Sequence, residues 1–292
     1  MIRRQSGFSL VEMLIAMVIA IIMVAAMYSF FTSQHRTYVV QDNVVDMQQN
    51  ARMALLTLFR DVRMAGYGVP TSCALAPVND TNGPDALFVS DSTVIQTLPD
   101  SQIFFAQLTA DATAGDSSIT LTTTDMDSNG SDDFAVSRAL IISDETHTEG
   151  LTISSRNNNT FNLASALQHS YTADRARIVP AIFYGVVGGN LLQDNQTLAF
   201  NIEDLQIAYL DGDGTWYCHV TGASPPSDVP PTDIGSVRVM EIHVLARTNM
   251  ADARDTSFSQ PSIQDHVVAD PQDGFRRRLL STRVHVRNMG RL

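Results

Sequence analysis

The sequence predicts an α+β protein in which one long N-terminal helix packs on an antiparallel β-sheet that carries a β-rich insertion. Three observations predict it. Residues 8 to 31 are an apolar run broken by a single charge, Glu12. Residues 32 to 66 keep a helical rhythm with one apolar stripe, and no proline occurs before Pro70. After Tyr67 the chain turns to short β-branched alternations between Gly, Asp, Asn and Ser clusters, the pattern of strands and turns.

The apolar run is 24 residues long, enough to span a bilayer as a helix. Arg3 and Arg4 precede it, which holds the short N-terminus on the cytoplasmic side and places the rest of the chain on the other. A secretory signal would have a shorter apolar region followed by a small-x-small cleavage site. Here the small residue, Gly7, stands before the run, so a cut after it leaves the hydrophobic segment attached. A carboxylate inside such a helix costs about 2.5–3.5 kcal/mol on insertion scales and marks a functional site; the alternative for Glu12 is snorkelling to the cytoplasmic interface.

Beyond the apolar run, Val40, Val44, Met47, Ala51, Ala54, Leu58, Val62 and Ala65 recur at spacings of four and three, one stripe on a helix. Gly66 and Gly68 supply the stop. A single helix from Phe8 to about Ala65 would be about 85 Å long at about 1.5 Å per residue. Its stripe is expected to receive the globular domain, with a short coiled-coil seam as the rival reading. Strands are expected at 86–89, 102–106, 118–123, 138–142, 151–154 and 160–163, and more strongly at 178–186, 198–202, 205–210, 236–246 and 279–287. The Thr-, Ser-, Asp- and Asn-rich stretch from about 107 to 176 reads as the β-rich insertion. The expected organisation is a leader at 1–7, a membrane and assembly helix at 8–31, an amphipathic continuation at 32–66, and a globular domain at 67–292.

Composition fits one membrane helix and one sizeable domain: 292 residues, 44% hydrophobic and 17% charged. The net charge of −12, with no lysine and all 19 basic residues arginine, points away from nucleic acid. The seven histidines form no H-E-x-x-H pattern and no G-x-S-x-G turn is present, so an enzyme is not expected.

The segment GFSLVEMLIAM at 7–17, with its basic leader, Gly7, the aromatic Phe8 and a carboxylate five residues into the cut chain, resembles the processing site of type IV prepilins and type II secretion pseudopilins. RMALLTLFRDVRMAGYG at 52–68, NIEDLQIAYLDGDG at 201–214 and RRRLLSTRVHVRN at 276–288 look like the matching stretches of PilW-family minor pilins, relatives of the J-type pseudopilins. The resemblance implies a type IV pilin-like fold and a non-enzymatic minor pilin that primes pilus assembly or sits at the tip. A J-type pseudopilin and a pilus-tip adhesin using the insertion are the alternatives. It also implies cleavage after Gly7 and N-methylation of Phe8 by a prepilin peptidase, and pairing of Glu12 with the N-terminal amine of a neighbour. The partners implied are major and minor pilins and the inner membrane. The chain would be single-pass with a periplasmic domain, then extracellular in the pilus.

Three further features stand beside the resemblance. Cys73 and Cys218 both fall in the part expected outside the cytoplasm, where a pair is usually bridged. Such a bridge would contribute about 4–5 kcal/mol on the chain-entropy model; two separate buried thiols are the alternative. Asp125, Asp127, Asn129, Gly130 and Asp133 follow the first half of a calcium loop, but Val136 stands where the bidentate glutamate belongs, and an acidic Asn-Gly turn explains the same letters. No other cofactor is expected. After Asp273 come six arginines and no acidic residue. They suit either an edge strand whose arginines meet local carboxylates or a docking strand for an acidic neighbour. Trp216, Tyr217 and Tyr209 read as sheet core or as an exposed aromatic patch, and Asp211 to Gly214 as a hairpin turn.

Overall fold

The computed structural model describes residues 9–80, 82–93, 103–134, 138–218, 230–252, 255–266, 268 and 272–289. One helix, α1 (Leu10–Met64), contains both the apolar run and the amphipathic stripe. The chain divides into two compact units, Met1–Asp46 and Met47–Leu292. In the first, the side chains from Ser9 to Phe31 are exposed, and the helix is long and apolar enough to cross a membrane.

In the second unit the helix is one-sided. Met47, Ala51, Ala54, Leu58, Val62 and Ala65 are buried, while Met53 and Leu56 on the other face are exposed. The stripe therefore receives the domain, as expected, but its burial begins at Met47; Val40 and Val44 are only half-buried. Gly66 adopts φ +77, the left-handed conformation that ends a helix without a Cβ penalty. The Asn288 side-chain amide donates to the carbonyls of Met64 (3.1 Å) and Ala65 (3.3 Å). The Ala65 carbonyl is thus satisfied by a residue beyond the second sheet, and the Met64 carbonyl, which also accepts from the Tyr67 N–H at 3.1 Å, gains a second donor.

Two antiparallel sheets follow. The first has nine strands. Its strands are β1 (Leu75–Val78), β2 (Ala86–Ser90), β3 (Ser118–Thr120), β4 (Ala139–Ser143), β5 (Thr148–Asn157), β6 (Thr160–Leu163), β7 (Arg177–Val187), β8 (Asn190–Gln193) and β9 (Gln196–Phe200). The order is β1-β2-β7-β4-β5-β6-β3, with β8 joining β7 to β9. The second sheet has four strands in the order β11-β10-β12-β13: β10 (Ile202–Asp211), β11 (Trp216–Tyr217), β12 (Val237–Arg247) and β13 (Arg277–His285).

The strong strand expectations hold with shifted ends. The stretch from Leu198 onward splits at Asn201, whose φ of 57 breaks β9 from β10. Two expectations need correction. The one at 102–106 leaves only a bridge between Ala106 and Ile178, with Gln102 outside the described residues. The stretch at 118–123 is a strand only to Thr120, after which Leu121 forms a lone bridge with Leu108. The short strands β1, β8 and β11 carried too few alternating residues to be read in advance.

The segment from about 107 to 176 is not an appendage. Its strand β4 lies between β7 and β5 and is buried along its whole length. One face of β4 and β7, with Leu140, Ile142 and Ile178, joins a core of Phe134 and Tyr171 from the segment's loops and Phe161 from β6. Their other face, with Ala139, Ile141, Val179 and Ala181, joins Cys73, Phe88 and Phe104. Period-2 alternation with apolar residues in both registers is what a two-sided core requires. Gly150 on β5 belongs to the same packing: a Cβ there would lie 2.0 Å from the Phe88 ring.

A buried polar network joins the β1–β2 turn to β10. Asp85, 2% exposed, accepts from the N–H groups of Asp80 (2.9 Å) and Ile207 (2.8 Å). Asp204 accepts from Gln206 Nε2 at 3.0 Å and is 2.8 Å from His266 Nδ1. Burial pushes the Asp85 carboxyl up to about 8, aided by the charges of Asp265 and Asp204 and opposed by its two backbone donors. A folded-state value raised above the ordinary 3.8 contributes stability that is present below that pH and lost as pH rises towards about 8. Asp85→Asn cannot titrate, so it should cost more stability at pH 5 than at pH 8. Denaturant unfolding of the chain in detergent at the two pH values checks this; an equal cost at both would remove Asp85 from the pH dependence.

Candidate functional site

The first candidate site is the start of α1. Ser9 precedes the helix; its Oγ accepts from the Val11 N–H at 3.3 Å, and Glu12 Oε2 accepts from the Ser9 N–H at 3.1 Å. This is a reciprocal capping box, Ser at N-cap and Glu three residues on. It satisfies two amides that otherwise have no partner at a helix N-terminus, where the helix dipole also favours a negative charge. The signal, S-x-x-E at 9–12, stands in the sequence. Glu12 therefore has an intrachain role besides any contact with a neighbour. Gly7 and Phe8 lie outside the described residues.

The second is the acidic loop before β4. Asp125, Asp127 and Asp133 each place a carboxylate oxygen within 4.8 Å of the others. The loop is knit by its own amides. Asp125 accepts from the N–H groups of Asn129 (3.1 Å) and Gly130 (2.9 Å), and Asp133 from that of Met126 (2.6 Å). The side-chain amide of Asn129 donates to Asp127 at 2.8 Å, while its oxygen accepts from the Ser131 N–H at 2.7 Å. Asn129 thus serves the turn rather than facing the carboxylates as a ligand, and Val136 lies outside the described residues. Burial, then the charges of Asp127 and Asp125, push the Asp133 carboxyl up against the lowering effect of the Met126 amide. Three converging carboxylates can take a hard cation.

The cysteine expectation is corrected. Cys73 and Cys218 are both buried and no disulfide joins them. Cys73 lies in a short 3₁₀ turn leading into the first sheet, its thiol donating to the Arg177 carbonyl at 3.4 Å. Cys218 follows β11 at the edge of the second sheet. Sequence carries no distance between two such positions. Burial pushes the Cys73 thiol up to about 12, so it stays protonated and unreactive.

The C-terminal arginines are largely spent on local carboxylates. Arg277 meets Glu203 (2.5 Å) and Asp273 (2.7 Å), Arg276 meets Asp252 (3.2 Å), and Arg283 meets Glu241 (3.3 Å) while lying over the Trp216 ring. Tyr209 is core, Trp216 and Tyr217 are half-buried, and no open aromatic patch forms from them. Asp211 closes the turn expected at 211–214 by accepting from the N–H groups of Asp213 (3.0 Å) and Thr215 (2.8 Å).

Linear spacing could not show the histidine clusters. His147 and His169 stack with ring centroids 4.3 Å apart. Glu149, nearly buried, accepts from the His169 N–H (2.7 Å) and the Tyr171 hydroxyl (3.0 Å) and lies 2.9 Å from His169 Nδ1. These groups come from the β4–β5 turn, the start of β5 and a loop some twenty residues on, and they hold the insertion's core closed.

Comparison with known proteins bears on both ends of the chain. The family model of the prokaryotic N-terminal methylation motif matches residues 2–28, and that of type IV pilus-assembly protein W matches residues 166–288. No curated protein matches. Among solved structures, the type IV-like pilin TTHA1219 from Thermus thermophilus is similar at 14% identity and a TM-score of 0.39, covering 84% of this chain and 98% of its own.

The calcium expectation has a direct test. A cation held by Asp125, Asp127 and Asp133 would stabilise the fold by about 2.7 kcal/mol at a hundredfold excess over its dissociation constant. Melts of the chain in detergent should then rise with millimolar calcium over chelator, and Asp127→Ala should abolish the rise. Coincident melts identify the loop as an acidic turn closed by its own amides.

Proposed function

We propose that this chain, a type IV pilus minor pilin of the PilW type, is cut after Gly7, methylated at Phe8, and held in the inner membrane by α1 with its domain in the periplasm. From there it joins other pilins at or near the pilus tip. Its role is structural. The observation that carries this reading is the N-terminal methylation motif matched at residues 2–28 on a helix exposed throughout its apolar part. A small residue ahead of the apolar run lets processing leave the anchor in place, so the same helix serves membrane and filament. The PilW match at 166–288 adds the domain of a pilus-assembly protein.

Glu12 is the residue on which assembly would turn. In lipid a carboxylate is costly, and capping the helix satisfies amides without neutralising its charge. A neighbour's N-terminal amine would do so, with a charge-assisted contact of about 1.5–3 kcal/mol. Burial of that pair favours docking in one register.

N-terminal sequencing of the protein from membranes or pili should begin at Phe8, and a bulky residue at Gly7 should leave the precursor uncut. Retention of residues 1 to 7 in filaments would defeat the processing reading. Glu12→Ala removes both charge and cap, whereas Glu12→Gln keeps a capping acceptor. Both variants should insert normally, and both should enter filaments about tenfold less, since the missing interaction is ionic. If Glu12→Gln assembles like wild type, the carboxylate acts through the cap and not through a neighbour.

A further inference from the structure

β13 is an edge strand. It pairs with β12 over nine residues, from Arg277↔Arg247 to His285↔Val239. Among the described residues no strand pairs with its other side. An unpaired row of N–H and C=O groups along such a length is a template for another strand. Its side chains alternate at its C-terminal end: Val284 is buried, whereas Ser281, Arg283 and His285 are exposed on the opposite face, and just beyond the strand Val286 is buried and Arg287 is exposed in a turn. In a chain of net charge −12, the segment after Asp273 has no carboxylate. The nearby acids Glu203, Asp252 and Asp273 are engaged by Arg276 and Arg277, and Glu241 by Arg283, further from the end.

We infer that the outer edge of β13 is a docking strand for an extended acidic segment of a neighbouring pilus subunit, selected by Arg283, whose side chain stays 63% exposed beside Glu241, and by Arg287 in the turn just after the strand. The inference rests on the minor-pilin reading and names its contact. Backbone pairing supplies the ladder, and carboxylates at alternate positions of the incoming strand face these arginines. A second copy of β13 is not the expected occupant, because it carries no carboxylate to set against these arginines. The same charges that keep the edge from pairing with its own kind therefore select what may add to it.

A photo-crosslinking amino acid in place of the exposed Ser281, in the full chain within pilus-assembling cells, tests this. A second probe at Val18 reports filament contacts of the helix. The expected crosslink from position 281 maps by mass spectrometry to a segment of another pilin with Asp or Glu at alternate positions. It should fall by about tenfold in the Arg283→Glu, Arg287→Glu double variant and return with lysine at both positions, while the Val18 crosslinks persist. Val18 crosslinks with no position 281 product, with a product indifferent to charge reversal, or with phospholipid as its sole product, overturn the docking strand. Loss of the Val18 crosslinks in the unreversed chain overturns the minor-pilin reading and the docking strand with it.

Discussion

The structure depends on one helix serving two surroundings without a break. Up to Phe31 its side chains are exposed and apolar on all sides, which suits lipid or a bundle of similar helices. From Met47 the same backbone must bury one stripe under a domain. Ala51, Ala54 and Ala65 are fully buried there beside Leu58 and Val62. Small residues keep the helix close to its cover, and the branched ones fill the space between them. Among the described residues the domain has no comparable second helix, so this stripe is where sheet meets helix.

Polar groups fix the position that apolar packing leaves loose. The Tyr184 hydroxyl on β7 donates to the Asp61 carboxylate, and the Ser90 hydroxyl oxygen accepts from the Gly66 N–H at 2.9 Å. Burial raises the Asp61 carboxyl, partly offset by the Tyr184 bond. Asn288 then caps the helix end from beyond β13. Helix, first sheet and C-terminus are tied at one corner by donors that are each satisfied once, so a shift of the helix by one turn would orphan several at once.

What was legible in the sequence followed from periodicity and from local chemistry. The stripe, the turn at Gly66 and the long strands β7, β10, β12 and β13 could be read because each carries enough residues to show its period. Asn201 breaks the run between β9 and β10 by backbone conformation alone, which periodicity does not report. The insertion was legible as β-rich from its turns and short alternations, but its polar composition did not show that β4 is a central strand whose five residues are all buried. Glu12 was legible as a costly charge but not as a cap. The buried acids Asp85 and Asp204 and the hub at Glu149 were not legible, since their partners are supplied by distant segments. The two cysteines failed for the same reason: pairing is a matter of distance, and compartment chemistry does not supply one.

The charge distribution links these parts to assembly. Most arginines of the second sheet answer a carboxylate, and Arg277, with Glu203 and Asp273 around it, is only 6% exposed in its side chain. Those hydrogen bonds, Asp273's first, raise its already high basicity, so it remains a fixed cation. A network of this kind adds little stability per pair where it is exposed, but at Arg277 it joins β13 to the start of β10 and holds the edge strand's register against β12. Such a register fixes which side chains face outward. The same ionic network that settles the interior of the sheet therefore fixes which face of β13 carries Ser281, Arg283 and His285, so the surface proposed to meet another subunit is set by contacts made inside this one.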